Sequence, residues 1–137
     1  MTALAIASFN TKALLNGTTI TMGETAGPLT PVYLNSTTYF KATNVAAGTL
    51  SQRTVAGLLL NGTASGDQGT LITSSSIIEN TGTTWALTLG TKLYLGPAGT
   101  IVPFADLAQN DWIVEIASPL ETDIIKVLIN NLETLVP

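Results

Sequence analysis

The sequence predicts an all-β fold: a small β-barrel or β-sandwich with a weak internal two-fold repeat, short helical crossovers and an N-terminal arm. The first observation behind this is a recurring order of elements. Tyr33-Leu34 is followed by a polar turn, an Ala/Thr-rich stretch over residues 42–51, an apolar run over 53–60, a Gly-rich turn and Thr70-Leu71-Ile72-Thr73. Tyr94-Leu95 opens the same order, passing through a Gly-containing turn and a polar stretch to the alternating run 112–117 and then to 123–129. The second observation is composition. Thr is the most abundant polar residue, with 23 copies set among Val, Ile, Leu and Gly, and a β-branched hydroxyl side chain suits an exposed strand face without adding charge. The third is punctuation, since short apolar runs are broken by Asn-Gly, Gly-Pro and Gly-rich clusters.

The elements follow in chain order. Residues 1–15 are apolar and read as an N-terminal arm or a short strand, with residues 16–137 forming the β domain and the pseudo-repeats spanning about 32–73 and 93–129. Asn16-Gly17 signals a turn into a strand over 18–22. Residues 23–31 hold two Gly and two Pro and read as a loop, because Pro28 and Pro31 each lack a ladder donor, which disfavours a central strand there. Residues 32–34 and 38–42 read as a hairpin turning near Asn35-Ser36. Residues 44–50 suit a helical turn closed by Gly48. Residues 53–60 predict a strand buried on both faces near its end, and residues 70–73 return after the turn. In the second half, residues 76–79 predict a short strand. Trp85, Leu87 and Leu89 alternate with Ala86 and Thr88 at the period of a half-buried strand. Residues 92–95 and 100–102 flank the reversal Gly96-Pro97-Ala98-Gly99, and 104–109 mirror 44–50. Trp112, Val114 and Ile116 share one strand face, Ile113, Glu115 and Ala117 the other. Residues 124–129 close the domain, followed by an apolar tail.

Composition excludes several functions. The 137 residues contain no Cys and no His, so disulfides, thiolate metal sites and the commonest general base near neutral pH are all absent. The chain is therefore expected not to be an enzyme and to carry no cofactor and no metal. Five basic residues without a cluster give no footprint for nucleic acid. No apolar run reaches the roughly 18 residues that cross a bilayer, and residues 1–9 lack the basic start of a signal peptide, so the chain reads as soluble and intracellular when made, with no membrane partner. Charged residues make up 10% and hydrophobic ones 45%. So little charge leaves apolar surface that another chain is expected to cover. The charge is uneven: residues 1–104 carry net +1, residues 105–137 net −5.

Each motif with chemical potential has a plainer reading. Glu121 and Asp123 form an acidic pair, but glycoside hydrolysis needs a cleft and a defined carboxylate separation, and solvated turn acids fit the spacing better. Residues 62–69 resemble a phosphate loop in glycine content only. They lack the Lys-Ser/Thr ending and lead into a strand, so positive φ in a hairpin connection accounts for the glycines. Three Asn-x-Ser/Thr patterns at Asn16, Asn35 and Asn61 read as turns. Tyr33, Trp85, Tyr94 and Trp112 are candidates for core or interface packing, with stacking on a glycan as the other use of such rings.

Val55-Ala56-Gly57-Leu58, Gly66-Asp67-Gln68-Gly69, Gly90-Thr91-Lys92-Leu93-Tyr94-Leu95 with Gly99-Thr100-Ile101, and Ile113-Val114-Glu115-Ile116-Ala117 together resemble the small bacteriophage capsid decoration proteins, also called cement or head-stabilising proteins. Where members often have Gly in the strand before the last turn, this chain has Glu115. The resemblance implies a β-barrel or β-sandwich that forms a homotrimer on the outer capsid surface of the virion and contacts the major capsid protein through an N-terminal arm. Leu4, Ile6 and Phe9 are the capsid-contact candidates. It implies no catalytic residues. A trimeric fibre or head-fibre module that recognises a host surface glycan is the alternative expectation.

Overall fold

The computed structural model describes residues 9–13, 17–81 and 85–137, and of residues 9, 10, 12 and 13 the backbone alone. It is predominantly β, with two antiparallel sheets. The first sheet takes β2 (Thr18–Thr21), β3 (Thr30–Asn35), β4 (Thr38–Lys41), β5 (Gly57–Leu59) and β6 (Gln68–Ile72), in the spatial order β2-β6-β5-β3-β4. The second takes β1 (Phe9–Ala13), β7 (Ile77–Asn80), β8 (Leu93–Leu95), β9 (Ile101–Pro103), β10 (Trp112–Glu121) and β11 (Ile124–Leu135), in the order β1-β7-β11-β10-β8-β9.

These two orders are the same order twice. Matching β2 to β7, the β3–β4 hairpin to the β8–β9 hairpin, β5 to β10 and β6 to β11 converts one sheet into the other, leaving β1 as an addition at the outer edge. The helical pieces also correspond: α1 (Leu50–Arg53) precedes β5, and a 3-10 turn at Phe104–Asp106 precedes β10.

The halves then diverge in curvature. The first sheet curls until Met22, just past β2, bridges Tyr39 on β4, and Gly23 donates its N–H to the Tyr39 carbonyl at 2.8 Å. The Glu24 carboxylate accepts from Lys41 N–H at 2.9 Å, which covers the remaining edge of β4. Ile20, Met22, Ala26, Val32, Leu59 and Leu71 fill the inside of this curl. Its outer side, through Leu29, Ala42, Val55, Leu58 and Ile72, packs on Ile78, Leu93, Leu95, Val114, Ile116, Ile125 and Val127 of the second sheet, and this is the larger core. Strand β5 is thus apolar on both faces because it has a core on each side, as residues 53–60 lead one to expect.

Several element boundaries differ from the sequence reading for local reasons. Thr49 Oγ1 accepts from Gln52 N–H at 3.3 Å and Gln52 Oε1 from Thr49 N–H at 2.8 Å, a capping box that starts α1 after Gly48 and not before it. The helix therefore takes residues 50–53, and the strand shrinks to Gly57–Leu59. Pro31 sits inside β3, between β5 and β4. Its carbonyl faces the β4 side and accepts from Ala42 N–H, so the missing proline donor faces the place where β4 has already ended. Residues 85–89 form no strand, although Trp85 and Leu87 are buried. Ala86 has φ 54°, and the Leu87 N–H bonds to the Thr122 carbonyl, so this segment is pinned to the β10–β11 turn instead of a ladder. The apolar tail is the end of the 12-residue β11.

The junction of the halves is polar as well as apolar. The Asn131 side chain holds the Val55 backbone from both sides, accepting from its N–H at 3.0 Å and donating to its carbonyl at 3.3 Å. Trp112 N–H donates to the Asn44 carbonyl at 2.8 Å, and Gly99 N–H to the Ala42 carbonyl at 2.7 Å. Gly99 has φ 73° and a Cβ there would lie 2.6 Å from Thr30 Cγ2, so the contact needs glycine on two counts. The Arg53 guanidinium lies 3.7 Å from the Trp112 ring centre and reaches Glu133 at 3.4 Å. Asn44 is fully buried, and neither amide atom of its side chain bonds to a described residue.

Candidate functional site

Alternation along β10 sends Val114 and Ile116 into the core, so Glu115 faces outward. Its register partners are Tyr94 on β8 and Asn130 on β11, and residues directly opposite on paired strands share a face. Lys92, just before β8, completes the group. Lys92 Nζ lies 2.9 Å from Glu115 Oε2, and Asn130 Nδ2 donates to Glu115 Oε1 at 3.1 Å. The Glu115 side chain is only 14% exposed. Partial burial pushes its carboxyl up, but the hydrogen bonds from Lys92 and Asn130 together with the Lys92 charge outweigh that and leave it below its ordinary value. Lys92 is raised, chiefly by its hydrogen bond to Glu115 and then by that carboxylate's charge.

These groups border a groove of about 240 Å³ whose other walls include Ser74, Ser118 and Leu128. Ser74 Oγ accepts from Ile129 N–H at 3.1 Å, so its own hydroxyl hydrogen is available to the groove. A register shift between Glu115 and Ala117, a β-bulge, turns Ala117 from a regular outward position into the wall between groove and core. Beside the groove, the Tyr94 ring meets Phe104 edge-on, with centres 5.5 Å apart and planes at 71°. Phe104 remains 45% exposed.

The residues singled out from sequence are scattered over the fold. Leu4 and Ile6 lie outside the described residues, and Phe9 opens β1 with its backbone opposite Asn80. Tyr33 is half-buried against the main core, 6.0 Å from the Phe40 ring. Trp85 is buried in that core. Trp112 lies at the other end of the ten-residue β10, under Arg53. Of the four, Tyr94 alone stands in cross-strand register with Glu115 of the groove. Glu121 and Asp123 do not act together: Glu121 is exposed, whereas Asp123 Oδ1 accepts from Trp85 N–H at 2.6 Å and from Asn80 Nδ2 at 3.4 Å, tying the turn over the core. In the glycine-rich loop, only Gly66 has positive φ, at 86°, and its N–H bonds to the Met22 carbonyl, so the loop closes the curled sheet.

No local spacing in the sequence links Lys92, just before β8, with Ser118 on β10 and Asn130 on β11. The single cue was Glu115, a carboxylate on the solvent side of an alternating strand. Among the described residues, no group of three or more His, Cys, Asp or Glu side chains could hold a metal ion. No helix among them is long and apolar enough to cross a membrane. A second, apolar hollow of about 310 Å³ lies between Leu34 and Leu50, which are 48% and 56% exposed. No protein-family model and no curated protein matches the chain.

Proposed function

We propose that this protein is a structural virion protein that binds the outside of a phage capsid as a homotrimer and stabilises the shell by bridging capsomers, without catalysis. The observation that carries this reading is the place of β1. Among the described strands it is the one outside the duplicated order, and it pairs with β7 alone, which makes it the edge strand of its sheet. An edge of that kind pairs with a strand of another chain by β-augmentation. The exposed Leu34, Leu50, Leu89, Phe104, Leu120, Leu128 and Leu135 supply apolar area suited to contacts between copies.

Mechanically, each trimer adds interfaces that internal genome pressure must break before the shell opens. A standard interface buries about 800 Å² per partner, and many copies multiply the effect. The test is to delete residues 1–13, which removes β1 with the arm, and measure occupancy on undecorated shells, together with the temperature at which the shells release DNA. The proposal predicts that full-length protein binds and raises that temperature, and that the deletion lowers occupancy. Unchanged occupancy would remove the arm from the account, and no binding by full-length protein would remove the function.

A further inference from the structure

We propose that the groove around Glu115 is a binding site for one uncharged sugar ring. Lys92 and Glu115 neutralise each other at 2.9 Å, so the groove presents no net charge to attract an anion or a cation, and a neutral polyhydroxy ligand suits it. The pair keeps capacity for more hydrogen bonds, since an ammonium carries three donors and a carboxylate about four acceptor sites. Glu115 and Asn130 set an acceptor beside a donor on adjacent strands. Neighbouring hydroxyls of a sugar, each both donor and acceptor, match that arrangement. Ser74 and Ser118 add hydroxyls at the rim.

The apolar part is placed to take the other side of such a ring. Ala117, Leu128 and Ile129 line the groove, and Tyr94 stands opposite Glu115 in the register with Phe104 holding its ring edge-on. A sugar presents C–H groups on one face and hydroxyls around its rim, and so fits a polar cluster with the apolar wall of Ala117, Leu128 and Ile129. The size agrees, since about 240 Å³ falls below the range of about 300–1,000 Å³ for drug-sized ligands. The groove shares Leu128 with the apolar surface assigned above to contacts between copies, and uses no residue of β1.

The experiment is a nuclear magnetic resonance titration of the full chain with methyl glycosides of glucose, galactose, mannose and N-acetylglucosamine, with glucosamine and sialic acid as the charged comparison. At least one neutral glycoside is expected to give saturable shifts centred on the amides of Lys92, Tyr94, Glu115, Ser118 and Asn130. Asn130→Ala, at an exposed position, and Glu115→Ala are each expected to bind it about tenfold more weakly, which corresponds to about 1.4 kcal/mol. Asn130→Ala keeps the test valid if Glu115→Ala fails to fold. Absence of saturation up to about 100 mM, equal affinity in Asn130→Ala, or tighter binding of a charged sugar would overturn the proposal. Shell occupancy of the same variants separates this site from the attachment reading, because losing the sugar is expected to leave occupancy unchanged.

Discussion

Gly57→Ala tests the packing of the curled sheet at its tightest point. Gly57 is buried on β5, opposite Val32, and a Cβ there would run into the Ile72 carbonyl oxygen and lie 2.7 Å from Leu71 Cδ1. The Leu71 atom must retreat to at least 3.4 Å for ordinary contact, and it can turn. The Ile72 oxygen cannot, because it belongs to the strand that β5 is paired with. Overpacking costs about 1–3 kcal/mol, and a backbone obstacle places this substitution near 3. At roughly 4 °C per kcal/mol for a chain of this length, thermal unfolding followed by circular dichroism is expected to show a Tm about 10 °C lower. Adding Leu71→Ala removes one of the two obstacles and is expected to make the glycine substitution about 1 kcal/mol less damaging. Gly66→Ala is the contrast: nothing lies within 4 Å, and only its φ of 86° opposes a side chain, for about 1 kcal/mol. A Gly57→Ala protein within about 0.5 kcal/mol of the parent would refute the close approach of β5 and β6.

Other substitutions probe the junction and the groove. Asn131→Ala leaves both polar groups of the buried Val55 backbone without their side-chain partner and is expected to cost about 1–2 kcal/mol in denaturant unfolding, whereas no loss would mean the halves are not tied there. Asn44→Leu replaces a fully buried amide that bonds to no described residue and is expected to be neutral or to stabilise by about 1–2 kcal/mol; clear destabilisation would contradict that environment. Glu115 has a folded-state pKa below its unfolded one, so its contribution is present above about pH 4.3 and is lost as pH falls through the depressed value. The Tm advantage of the parent over Glu115→Gln is therefore expected at neutral pH and should close below about pH 4, and a gap that widens in acid would contradict the pairing with Lys92 and Asn130.

The duplicated order was legible because both halves put a Tyr-Leu pair, a reversal and an apolar run in the same succession, and strand pairing follows that succession in both sheets. The all-β class was legible from Thr and turn residues for the same local reasons. Closure of the first sheet was not. It depends on Met22 meeting Tyr39 and on a Glu24 carboxylate reaching Lys41, contacts between residues 17 apart in the chain that no period reveals. Trp85 and Leu87 kept their inward alternation yet formed no strand, because the period of burial reports which side a residue faces and not whether its backbone finds a partner. The groove stayed hidden because cross-strand register joins Lys92, Glu115 and Asn130, and register is fixed by the fold as a whole.

The proposed place on a capsid can be imaged directly, by adding the protein to undecorated shells or by examining particles from its source. A cryo-electron microscopy map at side-chain resolution is predicted to show three copies of this fold together on the outer capsid surface, at three-fold or quasi-three-fold positions, with β1 nearest the major capsid protein. Density for the fold on a tail or fibre, inside the shell, or in any grouping other than three would contradict the account.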